Sequence, residues 1–306
     1  MPQLAQIPLE SYLLAQQAAP IECLICKQEN CRSASRCRWC RSPMALAHQA
    51  ESVRYAPKLI AVLGAAGSGK TTYLGMLMDI LTRQVGLPHT TARGPLSISL
   101  QQTTATALST GWFPEKTAHD PEHWNWVFCQ FHCRRRRHPV EVVFADVAGD
   151  AYAEETKHDG RYPAIRAILA HCAGVMVVAD AERLKAGDHE HDFVTLKLLT
   201  LLGDLRDEQM RHRRLRYGER RPLALVLTKA DKCDGIIEDP REFAEAHAAT
   251  LIGSCQTRFP RQQVFACSVA GATAHRDLYG SQQHVPLRIE PHGIVEPFGW
   301  LVTEMG

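Results

Sequence analysis

No stretch of the 306-residue chain approaches the roughly 18 consecutive apolar residues of a membrane-spanning helix, so none is expected. Strong charge is missing too. With 35 Lys and Arg against 33 Asp and Glu, the formal net charge of +2 is too small by itself to imply a nucleic-acid partner. The start, MPQLAQIPLESYLLAQQAAP, has neither a basic leader nor a continuous apolar segment and does not read as a secretion signal, which makes the cytoplasm the default compartment. Internal repeats and low-complexity tracts are also lacking, which argues against solenoids and disordered arrays. What remains, 45% hydrophobic and 22% charged, is the balance of a globular chain with a full core.

Cysteine, by contrast, is plentiful, and its spacing is informative. Cys23-x2-Cys26 and Cys37-x2-Cys40 are separated by ten residues, the pattern of two knuckles closing one tetrahedral Zn²⁺ site. A module of about 25 residues cannot bury enough apolar surface to hold itself together, so the metal supplies what the core cannot. Cys31 is a fifth candidate ligand. Cys129 and Cys133 share one face of a strand and read as core, and Cys172, Cys233, Cys255 and Cys267 stand singly. The expected organisation is an N-terminal arm over 1–20, a zinc-binding module over 21–42, a linker over 43–57 bracketed by Pro43 and Pro57, and a larger domain over 58–306.

That larger domain is organised around residues 64–71, GAAGSGKT, between an apolar run (KLIAVLG) and a helical pattern with Leu74, Leu77, Met78 and Leu81. Strand, glycine-rich turn and helix in this order make a phosphate-binding loop. Gly64, Ala65, Gly67, Ser68, Gly69 and Thr72 belong to its backbone cradle, where N–H groups and the helix dipole meet phosphate oxygens. Lys70 would reach the β- and γ-phosphates, and Thr71 would ligate Mg²⁺.

Further on, the strand over 140–147 ends in Asp146-Val147-Ala148-Gly149, which offers a carboxylate for the Mg²⁺ shell and a glycine N–H for a γ-phosphate. After the buried run PLALVLT comes Thr228-Lys229-Ala230-Asp231. There a carboxylate can accept from guanine N1–H and the exocyclic amine while the lysine stem packs on the base. Ser268-Val269-Ala270-Gly271 follows the last strand and can present an N–H to the guanine carbonyl oxygen.

The rest of the chain alternates apolar strands with helices. Strands are expected over 124–133, 140–147, 174–179, 222–228 and 263–268, and helices over 161–171, 196–216 and 240–258. Residues 86–122 read as an irregular insertion with a short helix near 97–109. RRRRHP reads as the tip of a hairpin that gives the sheet one antiparallel edge. The fold class is therefore α/β, a mostly parallel sheet covered on both faces.

GAAGSGKT, DVAGD, TKAD and CSVAG, in that order at strand ends, resemble the motifs of the Ras-like, translation-factor-related P-loop GTPases over residues 58–306. The cysteine module, GWFPEKT and the ending IVEPFGWL resemble, more narrowly, the bacterial double-GTPase group of conflict systems. The resemblance implies a GTP/GDP switch with Mg²⁺ that acts through a protein partner. It also implies a switch threonine, Thr117 in GWFPEKT, with Thr90, Thr91, Thr103 and Thr104 as competitors. Asp150 stands where many relatives carry a water-positioning glutamine, Thr228 where Asn is commoner, and Val269 where Ala is commoner. No arginine finger is assigned: Arg161, Arg166 and the arginines of RRRRH are available, and a partner could supply one.

Arg134–Arg137 and the segment 211–216 are basic patches, read as solvated or protein-docking faces ahead of nucleic-acid contacts. His189-Glu190-His191 reads as a polar loop. Two rival functions stay open: a GTP-binding scaffold with little hydrolysis, and a P-loop ATPase or nucleotide kinase.

Overall fold

The computed structural model describes residues 19–86, 88–132, 137–213, 221–278 and 281–305. The arm over 1–18, Cys133, Arg134–Arg136 and the basic stretch from 214 to 216 lie outside them.

In chain order, β1 (Pro20–Glu22) and β2 (Glu29–Cys31) form a small antiparallel hairpin, followed by helix α1 (Ala45–Glu51). The central unit then runs β3 (Lys58–Leu63), α2 (Lys70–Arg83), β4 (His89–Ala92), α3 (Pro95–Ser109), β5 (Asn125–His132), β6 (Val140–Asp146) and α4 (Gly149–Lys157). It continues with α5 (Pro163–His171), β7 (Gly174–Asp180), α6 (Ala181–Lys185), α7 (His189–Arg213), β8 (Leu223–Thr228), α8 (Pro240–His247), α9 (Ala249–Arg258) and β9 (Gln262–Ala266). A long ribbon, β10 (Ser268–Leu278) and β11 (Ser281–His292), precedes the last helix, α10 (Val295–Glu304).

Seven strands form one sheet in the order β4-β5-β6-β3-β7-β8-β9. β6, β3, β7, β8 and β9 are mutually parallel, while β5 and β4 are antiparallel additions at one edge. Alternation along the parallel strands decides which helices cover which face. Leu59, Ala61, Val175, Val177, Leu223 and Leu225 join the core beneath α4, α5, α7, α8 and α9. Ile60, Val62, Met176, Val178, Ala224 and Val226 point the other way, into a second core with α2, α3 and α10. Both faces are dry, which is why these strands read as continuous apolar runs.

Several expectations are corrected here. Within 86–122 the expected helix is present as α3, four turns long with Pro95 in the first, and the structure adds an edge strand, β4. His189-Glu190-His191 opens the long helix α7. The expected helix over 240–258 is broken at Ala248, whose extended φ of −141° separates α8 from α9. Pro222 and Cys267 fall outside the strands expected to include them. Residues 43–57 carry α1, and Met44, Leu46 and Ala47 are buried in the same core as the first sheet face. That packing ties the cysteine module to the sheet domain.

Candidate functional site

β3 lies between β6 and β7, the strands that lead off to opposite sides of it, so a crevice opens beyond its C-terminal end. The glycine-rich turn sits there, and α2 starts at Lys70 with Gly69 at φ 84°, a left-handed conformation that a side chain would strain. Lys70 is buried, and its Nζ donates to the carbonyls of Gly64 at 2.8 Å and Ala65 at 3.0 Å. Burial pulls its ammonium down to about 8 against the opposing pull of Asp146 and Asp150.

At the end of β6, Asp146 Oδ2 accepts from the hydroxyls of Thr71 at 2.9 Å and Thr117 at 2.7 Å, and the two hydroxyl oxygens are 3.0 Å apart. Asp146 is fully buried, and burial raises its carboxyl although Thr117, Lys70 and Thr71 oppose the shift. Its Oδ1 has no hydrogen-bond partner among the described residues, nor does the buried Ser68 Oγ. An orphaned carboxylate oxygen beside two hydroxyls is a donor set for a hard divalent cation such as Mg²⁺. Thr90 and Thr91 lie in β4 and Thr103 and Thr104 in α3, away from the cleft lining, so geometry separates Thr117 from its competitors.

Gly149 opens α4 against the turn. A Cβ there would lie 2.2 Å from Ala66 N and 2.4 Å from the Ala65 carbonyl carbon, a backbone approach only glycine allows. Asp150 lines the cleft and faces His119 Nε2 at 3.4 Å, which joins the segment after Thr117 to the start of α4. Arg161 and Arg166 are engaged by Glu154 and Asp159 and do not line the cleft.

The other end is built by β8 and β9. Thr228 Oγ1 donates to Ser68 O at 2.7 Å and to Ala179 O at 3.1 Å, binding β8 to the glycine-rich turn. Lys229, at φ 57°, reaches Asp180 Oδ2 at 2.5 Å. Asp180 also caps α6 by accepting from the amides of Glu182 and Arg183. Sequence reasoning passed over this aspartate, although its place at the end of the apolar run GVMVVA was a signal. Asp231 is half-buried, and burial raises its carboxyl. Ser268 and Val269 line the same cavity, about 360 Å³ in volume. Two of its walls were not foreseen: Phe113 and Pro114 ahead of Thr117, and Thr273 and His284 from the ribbon.

The sequence model of one protein family, Double-GTPase 2, matches residues 58–283. The chain belongs to the Double-GTPase 2 family. The family makes this a GTP-binding P-loop protein, and its match spans the glycine-rich turn, DVAGD, TKAD and most of the ribbon. No curated protein matches the chain.

Ahead of the Double-GTPase 2 domain, Cys23, Cys26, Cys37 and Cys40 gather their sulfurs within 4.8 Å of one another. The two knuckles are copies of each other. Cys23 N donates to Gln28 O and Lys27 N to Cys23 O; Cys37 N donates to Ser42 O and Arg41 N to Cys37 O. Lys27 and Arg41 both take left-handed φ, 63° and 65°. Cys23 and Cys40 sulfurs are 3.7 Å apart and those of Cys26 and Cys37 3.5 Å, against the roughly 3.8 Å edge of a tetrahedron with Zn–S bonds near 2.3 Å. The amides of Trp39 and the Asn30 side chain donate to Cys37 Sγ, as an outer shell would. This cluster could bind zinc. Cys31 is exposed beside Ser33 and lies outside it. Arg36 and Arg41, flanking the second knuckle, reach the Glu122 carbonyl at 2.9 Å and carboxylate at 3.1 Å, five residues beyond Thr117.

Among the described residues, no helix is long and apolar enough to cross a membrane.

Proposed function

We propose that this chain is a Mg²⁺-dependent switch that binds GTP, hydrolyses it to GDP and phosphate, and passes its state to a protein partner in a bacterial conflict or signalling system. The observation that carries the reading is the meeting of Thr71 and Thr117 on Asp146 Oδ2, with Asp146 Oδ1 left without a partner among the described residues, at the end of the strand beside the glycine-rich turn. Lys70 leaves its two carbonyls to hold the β- and γ-phosphates, and the amides over 64–72 donate to the remaining phosphate oxygens. Thr71, Thr117 and Asp146 would hold a Mg²⁺ ion, which would supply positive charge to offset that of the phosphates. Gly149 N–H meets the γ-phosphate. Asp150 orients a water whose oxygen attacks the γ-phosphorus as the bond to the β–γ bridging oxygen breaks and GDP leaves.

At the far end Asp231 accepts from the guanine edge, the Lys229 stem covers the base, and the backbone at Ser268 and Val269 meets its carbonyl oxygen. Loss of the γ-phosphate frees Thr117 and Gly149, and the segments carrying them relax. Four cysteines hold Zn²⁺ in the N-terminal module, a thiol chemistry suited to the reducing cytoplasm.

A second reading, a scaffold that binds GTP with little turnover, is favoured by one observation: an acidic side chain, Asp150, lines the cleft next to Gly149. Single-turnover phosphate release from purified protein decides between them. Prompt release without a partner supports the switch, and it should be abolished in Asp146→Ala. Bound GTP that stays intact supports the scaffold.

A further inference from the structure

The ribbon of β10 and β11 is inserted between Ser268, at the end of the base-binding loop, and α10, and its role is not covered by the motifs above. Register shifts between Ser268 and Thr273 mark bulges at its root, which twist a ribbon and re-aim its side chains. Beyond them, Thr273 pairs with Pro286 and His275 with His284, so Thr273, His275 and His284 share one face. That face is turned to the cleft. Thr273 and His284 line it together with Asp231 and Lys232, and the ring of His284 is fixed by a 2.9 Å contact between its Nε2 and Thr273 Oγ1.

The ribbon also meets the segment that carries Thr117: on the cleft face Phe113 lies 5.9 Å from the His284 ring, and from the opposite face the Arg276 guanidinium sits 5.8 Å from the Trp112 ring. His284, with Phe113 at 5.9 Å and His275 at 5.0 Å between ring centroids, makes a tilted aromatic cluster of which Phe113 and His284 line the cleft, a surface suited to packing against a purine nucleoside.

We infer that the β10–β11 ribbon is a lid over the nucleoside half of the bound nucleotide, latched by His284 against Phe113. Resting on the GTP-binding reading above, it adds His284, Thr273 and Phe113 as positioning residues for the base and ribose. It also links the seating of the nucleoside to the segment that carries Thr117, four residues beyond Phe113. Burial holds the His284 imidazole below its ordinary range, which suits a neutral stacking surface.

Dissociation of radiolabelled GDP in excess unlabelled GDP tests the lid. His284→Gln, which keeps a partner for Thr273 but loses the ring, should release GDP about tenfold faster, the size of one lost base-aromatic stack. Phe113→Ala should do the same, and the double variant should be no faster than either, because both open one latch. His284→Phe restores a ring and should restore slow release. Melting temperature and zinc content, measured alongside, should match wild type in every variant used. Wild-type release rates in His284→Gln and Phe113→Ala, or fast release from His284→Phe, would overturn the lid while leaving the GTP site intact. A wild-type chain that retains no GDP would instead overturn the reading on which the lid rests.

Discussion

At the end of the cleft proposed for the phosphates the protein's groups occupy one another: Lys70 is held by two carbonyls, and Thr71, Thr117 and Asp146 by a shared set of hydrogen bonds. At the end proposed for the nucleoside Asp231 is half-buried with its carboxyl raised by burial, and the wall facing it comes from a ribbon distant in sequence. The first end is assembled by short motifs at strand ends and, in the proposed function, exchanges internal contacts for ligand contacts. The second is assembled by tertiary packing and, in the same proposal, is completed by the base. Affinity should therefore reside mostly in the first, and selectivity and residence time in the second.

The largest effect expected from breaking this division is at Lys70. Lys70→Ala should weaken GTP and GDP binding by roughly 10² to 10³-fold, the range for removing one charge from a buried pair. The zinc content and the circular dichroism of the chain should be unchanged. Comparable affinity in isothermal titration would remove the lysine from the phosphate site.

Asp231→Asn should act on selectivity alone, lowering the preference for GTP over xanthosine triphosphate by about 10 to 100-fold, since the wrong edge leaves buried groups unpaired. A loss of affinity for both nucleotides alike would place Asp231 outside the base site. Thr117→Ala should separate nucleotide states. Hydrolysis in single turnover should fall by about tenfold or more while GDP affinity stays within about twofold, because the contact is one that the γ-phosphate completes.

The smallest effect is set by pH. Burial pulls the Lys70 ammonium of the free chain down to about 8, below its usual range, and a phosphate-bound lysine must be protonated. Nucleotide affinity should therefore fall as pH rises, by about tenfold between pH 7 and 9. The linked effect on folding has the opposite sense. A lysine whose native value lies below its unfolded one gives a native state that binds fewer protons between about 8 and 10.5, so the nucleotide-free protein gains stability across that window. Lys70→Met should abolish that gain, which denaturant titrations at pH 7.5 and 9.5 would reveal.

The sequence was most legible where chemistry is local. The glycine-rich turn, DVAGD and TKAD require fixed residue types at fixed offsets, and all three stand at the ends of the parallel strands, facing one cleft. The two knuckles were legible for the same reason. What escaped was structure without an apolar signature. β10 and β11 run through Thr273, His275, Arg276, Gln283 and His284 with little apolar alternation, because they pair with each other rather than with a core. β4 is a four-residue edge strand, HTTA, whose polar residues gave no period. Helix α1 was hidden by the prolines on either side of it, although Met44 and Leu46 are among the most buried side chains of the chain. Asp180 escaped because its partner, Lys229, is distant in sequence, so no local spacing announced the pair.

The central claim is that one cleft reads both the phosphates and a guanine base. Equilibrium binding of GTP and of ATP to the wild-type chain with Mg²⁺ tests it most directly. The account predicts a GTP preference of at least about 10²-fold, as expected when the wrong base leaves buried groups unpaired. Equal binding of ATP and GTP would contradict it.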